Sequence, residues 1–121
     1  MLSVSRQVRA TPAEAWELIA STATWSSWGP SVSAVEPADA VVVAGMRGRV
    51  RVPVGVWVPF EVTRCEPPHT WTWAILGLPV TRHTVEGVPG GCRISFAVPA
   101  LAPAYLLVCR VALARVATLL A

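Results

Sequence analysis

With 121 residues, 54% of them hydrophobic and only 14% charged, the chain has the size of one folding unit and a composition opposite to that of a disordered segment. Its net charge of +3 comes from ten arginines and no lysine, scattered along the chain without a recognised nucleic-acid motif, which argues against a nucleic-acid partner. Three cysteines, Cys65, Cys92 and Cys109, form no CxxC pair and have no histidine at ligand spacing. Neither a disulfide framework nor a zinc site is expected, and no cofactor is implied. Free thiols in a reducing cytoplasm are the simplest reading.

A domain this small has little interior for so much apolar surface. Part of that surface is expected to line a cavity, an interface or a membrane contact. The first residues, Met1 to Arg6, alternate and lack the apolar run of a signal peptide, so a cytoplasmic location is expected.

In chain order, residues 2–9 alternate as a strand. Thr11-Pro12-Ala13-Glu14 is a helix start, with a capping hydroxyl, proline at the first position and glutamate at the third. Ala15, Trp16, Leu18 and Ile19 supply its buried face. A second helical turn fits Thr22 to Trp28 and stops at Gly29-Pro30. Strands are then predicted over Ser31–Glu36, Met46–Val52, Gly55–Cys65, Thr70–Leu76, Val80–Val88 and Cys92–Val98, with turns at Pro67-Pro68-His69 and Pro89-Gly90-Gly91. Six or seven short strands indicate an antiparallel sheet.

Residues 101–121 match a membrane span in length. Arg110 and Arg115 oppose insertion, each by roughly 2.5–3.5 kcal/mol, against about 0.3–0.6 kcal/mol returned by each leucine or valine. The segment reads as a soluble helix of about five turns, apolar on nearly every side and covered over most of its circumference by a curling sheet. No stable membrane insertion is expected.

The order strand, Thr-Pro-Ala-Glu-Ala-Trp-Glu-Leu-Ile, the Trp25/Trp28 segment and a run of strands resembles the START/Bet v 1-like (SRPBCC) superfamily. Phe60-Glu61-Val62-Thr63, Glu66-Pro67-Pro68, Trp71, Trp73, the stretch Gly90 to Phe96 and Pro103-Ala104-Tyr105-Leu106 extend the likeness to the polyketide cyclase/dehydrase and lipid-transport branch. The resemblance covers essentially the whole chain. It implies an α+β helix-grip domain over residues 1–121, with a curved antiparallel sheet around a long C-terminal helix and two short helices after the first strand. It further implies a cavity between sheet and helix, which holds sterols, polyketides, quinones, lipids or plant hormones in different members. The short loops lead to the expectation of a cavity that is either small or partly filled by the chain's own tryptophans.

Strand parity directs Phe60, Val62, His83, Val85, Ile94 and Phe96 inward. An inward His83 is expected to be neutral through desolvation. It then serves either as a proton-transfer group or as a structural residue bonded to a backbone carbonyl or Thr81. Trp28, Trp71 and Trp73 form an aromatic wall or fill the core. Tyr105 turns its hydroxyl into the cavity or sits at its mouth. Arg64 shares the parity of Phe60 and Val62 and, without a bulge, points inward toward a ligand carboxylate or phenolate. The Arg47/Arg49/Arg51 row alternates with Gly48, Val50 and Val52 and is expected on the solvent face, with docking to an acidic carrier or anionic surface as the alternative.

The favoured function is binding of a hydrophobic small molecule of polyketide, lipid or quinone-like type. The alternatives are a polyketide cyclase or dehydratase using His83, and an interaction protein; a homodimer is left open. No Ser/His/Asp arrangement, phosphate loop or inward carboxylate pair points to hydrolase or nucleotide chemistry.

Overall fold

The first strand, β1 (Leu2–Val8), leads into a helix start that closes as its sequence dictates. The Thr11 hydroxyl accepts from the Glu14 N–H at 3.2 Å, and the Thr11 N–H donates to the Glu14 carboxylate at 3.1 Å. This reciprocal box satisfies two end donors, and Pro12 takes a position where no N–H is needed. Helix α1 (Pro12–Ala20) buries Ala15, Trp16, Ile19 and Ala20. One 3-10 turn, Thr22–Thr24, passes into the four-residue α2 (Trp25–Trp28). So short a helix needs outside support. The Thr24 hydroxyl donates to Leu18 O at 2.5 Å, and Trp25 Nε1 donates to Ile19 O at 3.1 Å.

The strands that follow are β2 (Ala34–Glu36), β3 (Arg47–Arg51), β4 (Trp57–Glu66), β5 (Thr70–Ile75), β6 (Leu78–Val88) and β7 (Gly91–Val98). The computed structural model, which describes residues 1–121, joins all seven in one antiparallel sheet of order β1-β7-β6-β5-β4-β3-β2. The predicted strand at Ser31 shortens to three residues, because Val32 N–H turns back to Gly29 O before pairing begins. Gly48 faces Phe60 across β3 and β4, and a side chain there would collide with the Phe60 ring and the Glu36 carbonyl. Here the absence of a Cβ lets an aromatic ring lie on the sheet.

Helix α3 (Tyr105–Leu119) corrects the expectation drawn from residues 101–121. It starts four residues later than the apolar segment, runs about four turns, and is covered on one stripe only: Cys109, Ala112, Leu113 and Val116. It packs against β1, β7 and α2, not around the whole sheet. Leu107, Val111 and Leu119 on its other side remain exposed. Ala112 and Cys109 are small and let the buried stripe sit close to the sheet, and a 15-residue helix is too narrow to cover seven strands. No helix is long and apolar enough to cross a membrane.

One-sided burial gives a direct expectation. Leu113→Ala should lower unfolding stability by about 2–5 kcal/mol, the usual loss for a buried leucine. Leu107→Ala, at a position 64% exposed, should stay within about 0.5 kcal/mol. Urea unfolding of the two variants checks this, and equal losses would show that both sides of the helix are covered.

Candidate functional site

β5, β6 and β7 bring the inward aromatic residues together. Trp71 and His83 are register partners, and their rings stack at 3.7 Å with 16° between planes. On the other side of Trp71, Trp25 from α2 stacks at 5.1 Å and 7°. Trp73 and Phe60 meet this column at an angle, and Phe96 meets the His83 edge at 5.0 Å. Alternation along β5 and the short α2 therefore fill much of the concave face with rings. Such tilted and stacked pairs each contribute about 0.5–1.5 kcal/mol beyond burial.

His83 is 3% exposed, and its Nδ1 lies 3.2 Å from Trp71 O. A carbonyl only accepts, so Nδ1 carries the proton and Nε2 keeps its lone pair. Desolvation pushes the imidazole pKa down to about 3, with the Trp71 carbonyl pulling weakly the other way. The ring is neutral at pH 7.

Two spaces adjoin this aromatic core. An inner chamber of about 30 Å³ is bordered by Trp28, Trp71, Trp73, Thr81, His83, Phe96, Tyr105 and Cys109, among others. An outer cleft of about 440 Å³ lies at the ends of β3 to β6, under the start of α3, between Val50, Val52, Val58, Ile75, Val80, Val98 and Ala102. Ser31, Val32, Trp73 and Tyr105 border both. The Tyr105 and Ser31 hydroxyls are hydrogen-bonded at 3.0 Å, joining α3 to the loop after α2 at the boundary. Burial raises the Tyr105 pKa, opposed by the Ser31 bond, so the phenol stays neutral. Burial also lifts the Cys109 thiol to about 11.

The predicted site residues divide into three sets. Trp28, Trp71, Trp73, His83, Phe96 and Tyr105 border the chamber or the cleft. Phe60, Val62, Val85 and Ile94 face inward as expected but are core residues behind the rings, and they border neither space. Arg64 is exposed, because the β4–β5 register shifts between Val62 and Arg64 and turns it outward, where it pairs with Glu66 at 2.5 Å. A bulge of this kind reverses every parity argument beyond it. Thr81 and Ser31 were missed as site residues: Thr81 shares the inward parity of His83, whereas nothing in the sequence marks Ser31.

The arginine row lies on the exposed face and is largely occupied. Arg49 grips Glu36 with two hydrogen bonds, at 2.7 and 3.0 Å, and lies 4.5 Å over the Trp57 ring. Arg47 faces Glu61 at 3.9 Å, and Arg51 donates to Gly55 O. The three cysteines are unpaired, and no three His, Cys, Asp or Glu side chains cluster as metal ligands.

The same architecture occurs in solved structures. Protein Ms6760 from Mycobacterium smegmatis is similar at 21% identity and a TM-score of 0.70, over 98% of this chain and 89% of that one. Protein MLL2253 from Mesorhizobium loti is similar at 16% identity and a TM-score of 0.74, over 98% and 95%. DynU16, a protein of the dynemicin biosynthetic locus, is similar at 21% identity and a TM-score of 0.67; the match takes in 97% of this chain but 45% of DynU16. At these identities the likeness is one of fold. No curated protein matches the chain significantly. The model of the family described as polyketide cyclase / dehydrase and lipid transport matches residues 1–119, and with the curved sheet and terminal helix in place, the chain belongs to that family, within the START/Bet v 1-like superfamily.

Proposed function

We propose that the chain reversibly binds a hydrophobic small molecule of polyketide, lipid or quinone-like type, seated mainly in the outer cleft. The observation that carries this reading is the cleft itself. Its volume of about 440 Å³ falls in the usual range for small-molecule sites, roughly 300–1,000 Å³, and 12 of its 15 bordering residues are hydrophobic. The family description, which joins polyketide cyclases with lipid transport, supports an apolar ligand. So does the likeness to a protein from a biosynthetic locus.

A cyclase or dehydratase is the second reading, favoured by the bare Nε2 of His83 beside the inner chamber. The acid–base chemistry weighs against it. A general base works best with a pKa near the working pH, and His83 is held at about 3. The other titratable groups at the chamber, Tyr105 and Cys109, are both pushed above their ordinary values. None is poised for proton transfer near neutrality.

The cleft reading is tested by filling the cleft. Binding of an apolar naphthalene probe, followed by quenching of tryptophan fluorescence, should be lost in Val80→Trp while the variant still unfolds cooperatively. His83→Gln should change probe affinity by no more than roughly two- to tenfold, the worth of one neutral hydrogen bond. A turnover loss of about 10²–10⁴-fold with binding intact would instead establish proton transfer at His83.

Stability against pH gives a second check on His83. An unfolded histidine titrates near 6.5, and the folded one near 3. Above pH 6.5 both states are neutral there and stability is full; below it only the unfolded chain takes the proton, so stability falls with pH. Between pH 6.5 and 5.5 the loss should be about 1 kcal/mol, measured by urea unfolding, and His83→Gln should remove it. A slope unchanged in the variant would place a solvated imidazole at position 83.

A further inference from the structure

Four residues at the inner chamber carry a nitrogen or oxygen without a hydrogen-bond partner, and the four atoms differ in access. Trp71 Nε1, Trp73 Nε1 and Thr81 Oγ1 are sealed from any water-sized group by the packing around them. His83 Nε2 also lacks a partner, since the ring's one hydrogen bond runs from Nδ1 to Trp71 O, but it is not among the sealed atoms. The space that His83 borders is the inner chamber, so the Nε2 lone pair is open to it. Its direction is fixed, because the ring is stacked on Trp71 and tied to the Trp71 carbonyl. The ring is neutral, so Nε2 accepts and does not donate. Its complement is a proton donor. The chamber volume of about 30 Å³ admits one or two water-sized groups, which suits a hydroxyl. Ser31 and Tyr105 border the same chamber; one of their two hydroxyl protons lies between them, and the second is left for another acceptor. A hydroxyl serves both sides, giving its proton to Nε2 and accepting with its oxygen. A carbonyl oxygen leaves Nε2 bare. No arginine borders either space, so a carboxylate or phosphate would be buried without a counter-charge.

We infer that the inner chamber is a hydroxyl subsite, in which His83 Nε2 accepts the O–H of a ligand whose apolar body occupies the outer cleft. The inference rests on the cleft-binding reading and narrows it to phenols, hydroquinones and alcohols, against ketones, quinones, fatty acids and phosphorylated lipids. Chamber and cleft adjoin across Trp73, Ser31 and Tyr105, so one ligand spans both. His83 is then a specificity residue: it reads the hydroxyl proton, and the valines and Ile75 read the body. No proton is transferred, and the imidazole stays neutral.

Calorimetric titration of the full chain with 2-naphthol and 2-methylnaphthalene isolates the hydroxyl, because the two share their shape and apolar body. Their affinity ratio in the wild-type chain is compared with the ratio in His83→Phe, which keeps a ring at the stack and removes the acceptor. The ratio should shift against the naphthol by at least about fivefold, since the variant leaves a buried O–H without a partner. Nitrogen-15 spectra of the wild-type imidazole give a reading that needs no variant. The His83 Nε2 signal should shift upfield on adding 2-naphthol and far less on adding 2-methoxynaphthalene, which holds the same oxygen without the proton. An unchanged ratio in a His83→Phe chain that unfolds cooperatively would overturn the subsite and leave the cleft reading standing. So would an Nε2 signal that 2-naphthol does not move, or that the naphthol and its methyl ether move equally. Failure of both 2-naphthol and 2-methylnaphthalene to bind would remove the cleft reading and the subsite with it.

Discussion

The indole of Trp71 lies flat between Trp25 and His83, and the arrangement of the interior follows from that column. It joins three parts of the chain: the short helix α2, the strand β5 and its neighbour β6. Each is positioned by something local. Trp25 is tied by its own N–H to Ile19 O, and His83 by its Nδ1–H to Trp71 O. The imidazole bond and the stack select the same ring orientation, so His83 has little freedom to reorient toward a substrate. Dense ring packing is also why the concave face, which could be an open bowl, is closed at one end.

Closure at one end leaves the other end to α3. The helix lies over β1, β7 and α2, and its buried stripe is built from a cysteine, an alanine, a leucine and a valine. It leaves the ends of β3 to β6 uncovered, and the outer cleft is that uncovered ground. The rings of the core and the reach of the helix thus divide one concavity into a filled part and a cleft. Ser31 and Tyr105 pin the division by bonding the loop after α2 to the first residue of the helix.

Much of this was legible in the residues. The Thr11/Glu14 box, the alternation along β6 and β7 and the Pro-Gly-Gly turn specify local geometry, and tertiary contacts only reinforce them. The inward set from Phe60 to Phe96 was legible for the same reason, since parity survives as long as the ladder is regular. It failed at Arg64 because one irregularity between Val62 and Arg64 adds a residue to β4, and no local signal marks a bulge there. The helix was overread because apolar composition says how much surface is available, not how much a partner covers; Leu107 and Val111 are as apolar as Leu113 yet lie in the open. Which inward residues border space and which lie behind the rings depends on side-chain packing across five strands, information absent from any single segment.

The unpartnered groups of Trp71, Trp73 and Thr81 bear on whether the interior is shaped for folding or for a ligand. Each buried donor or acceptor left alone costs about 1–3 kcal/mol. For folding alone, phenylalanine at 73 and valine at 81 would supply similar bulk without that penalty. A filled core therefore explains the rings but not their polar edges. His83 fits the same division: its Nδ1–H is satisfied by the backbone, while the neutral Nε2 keeps an unshared lone pair.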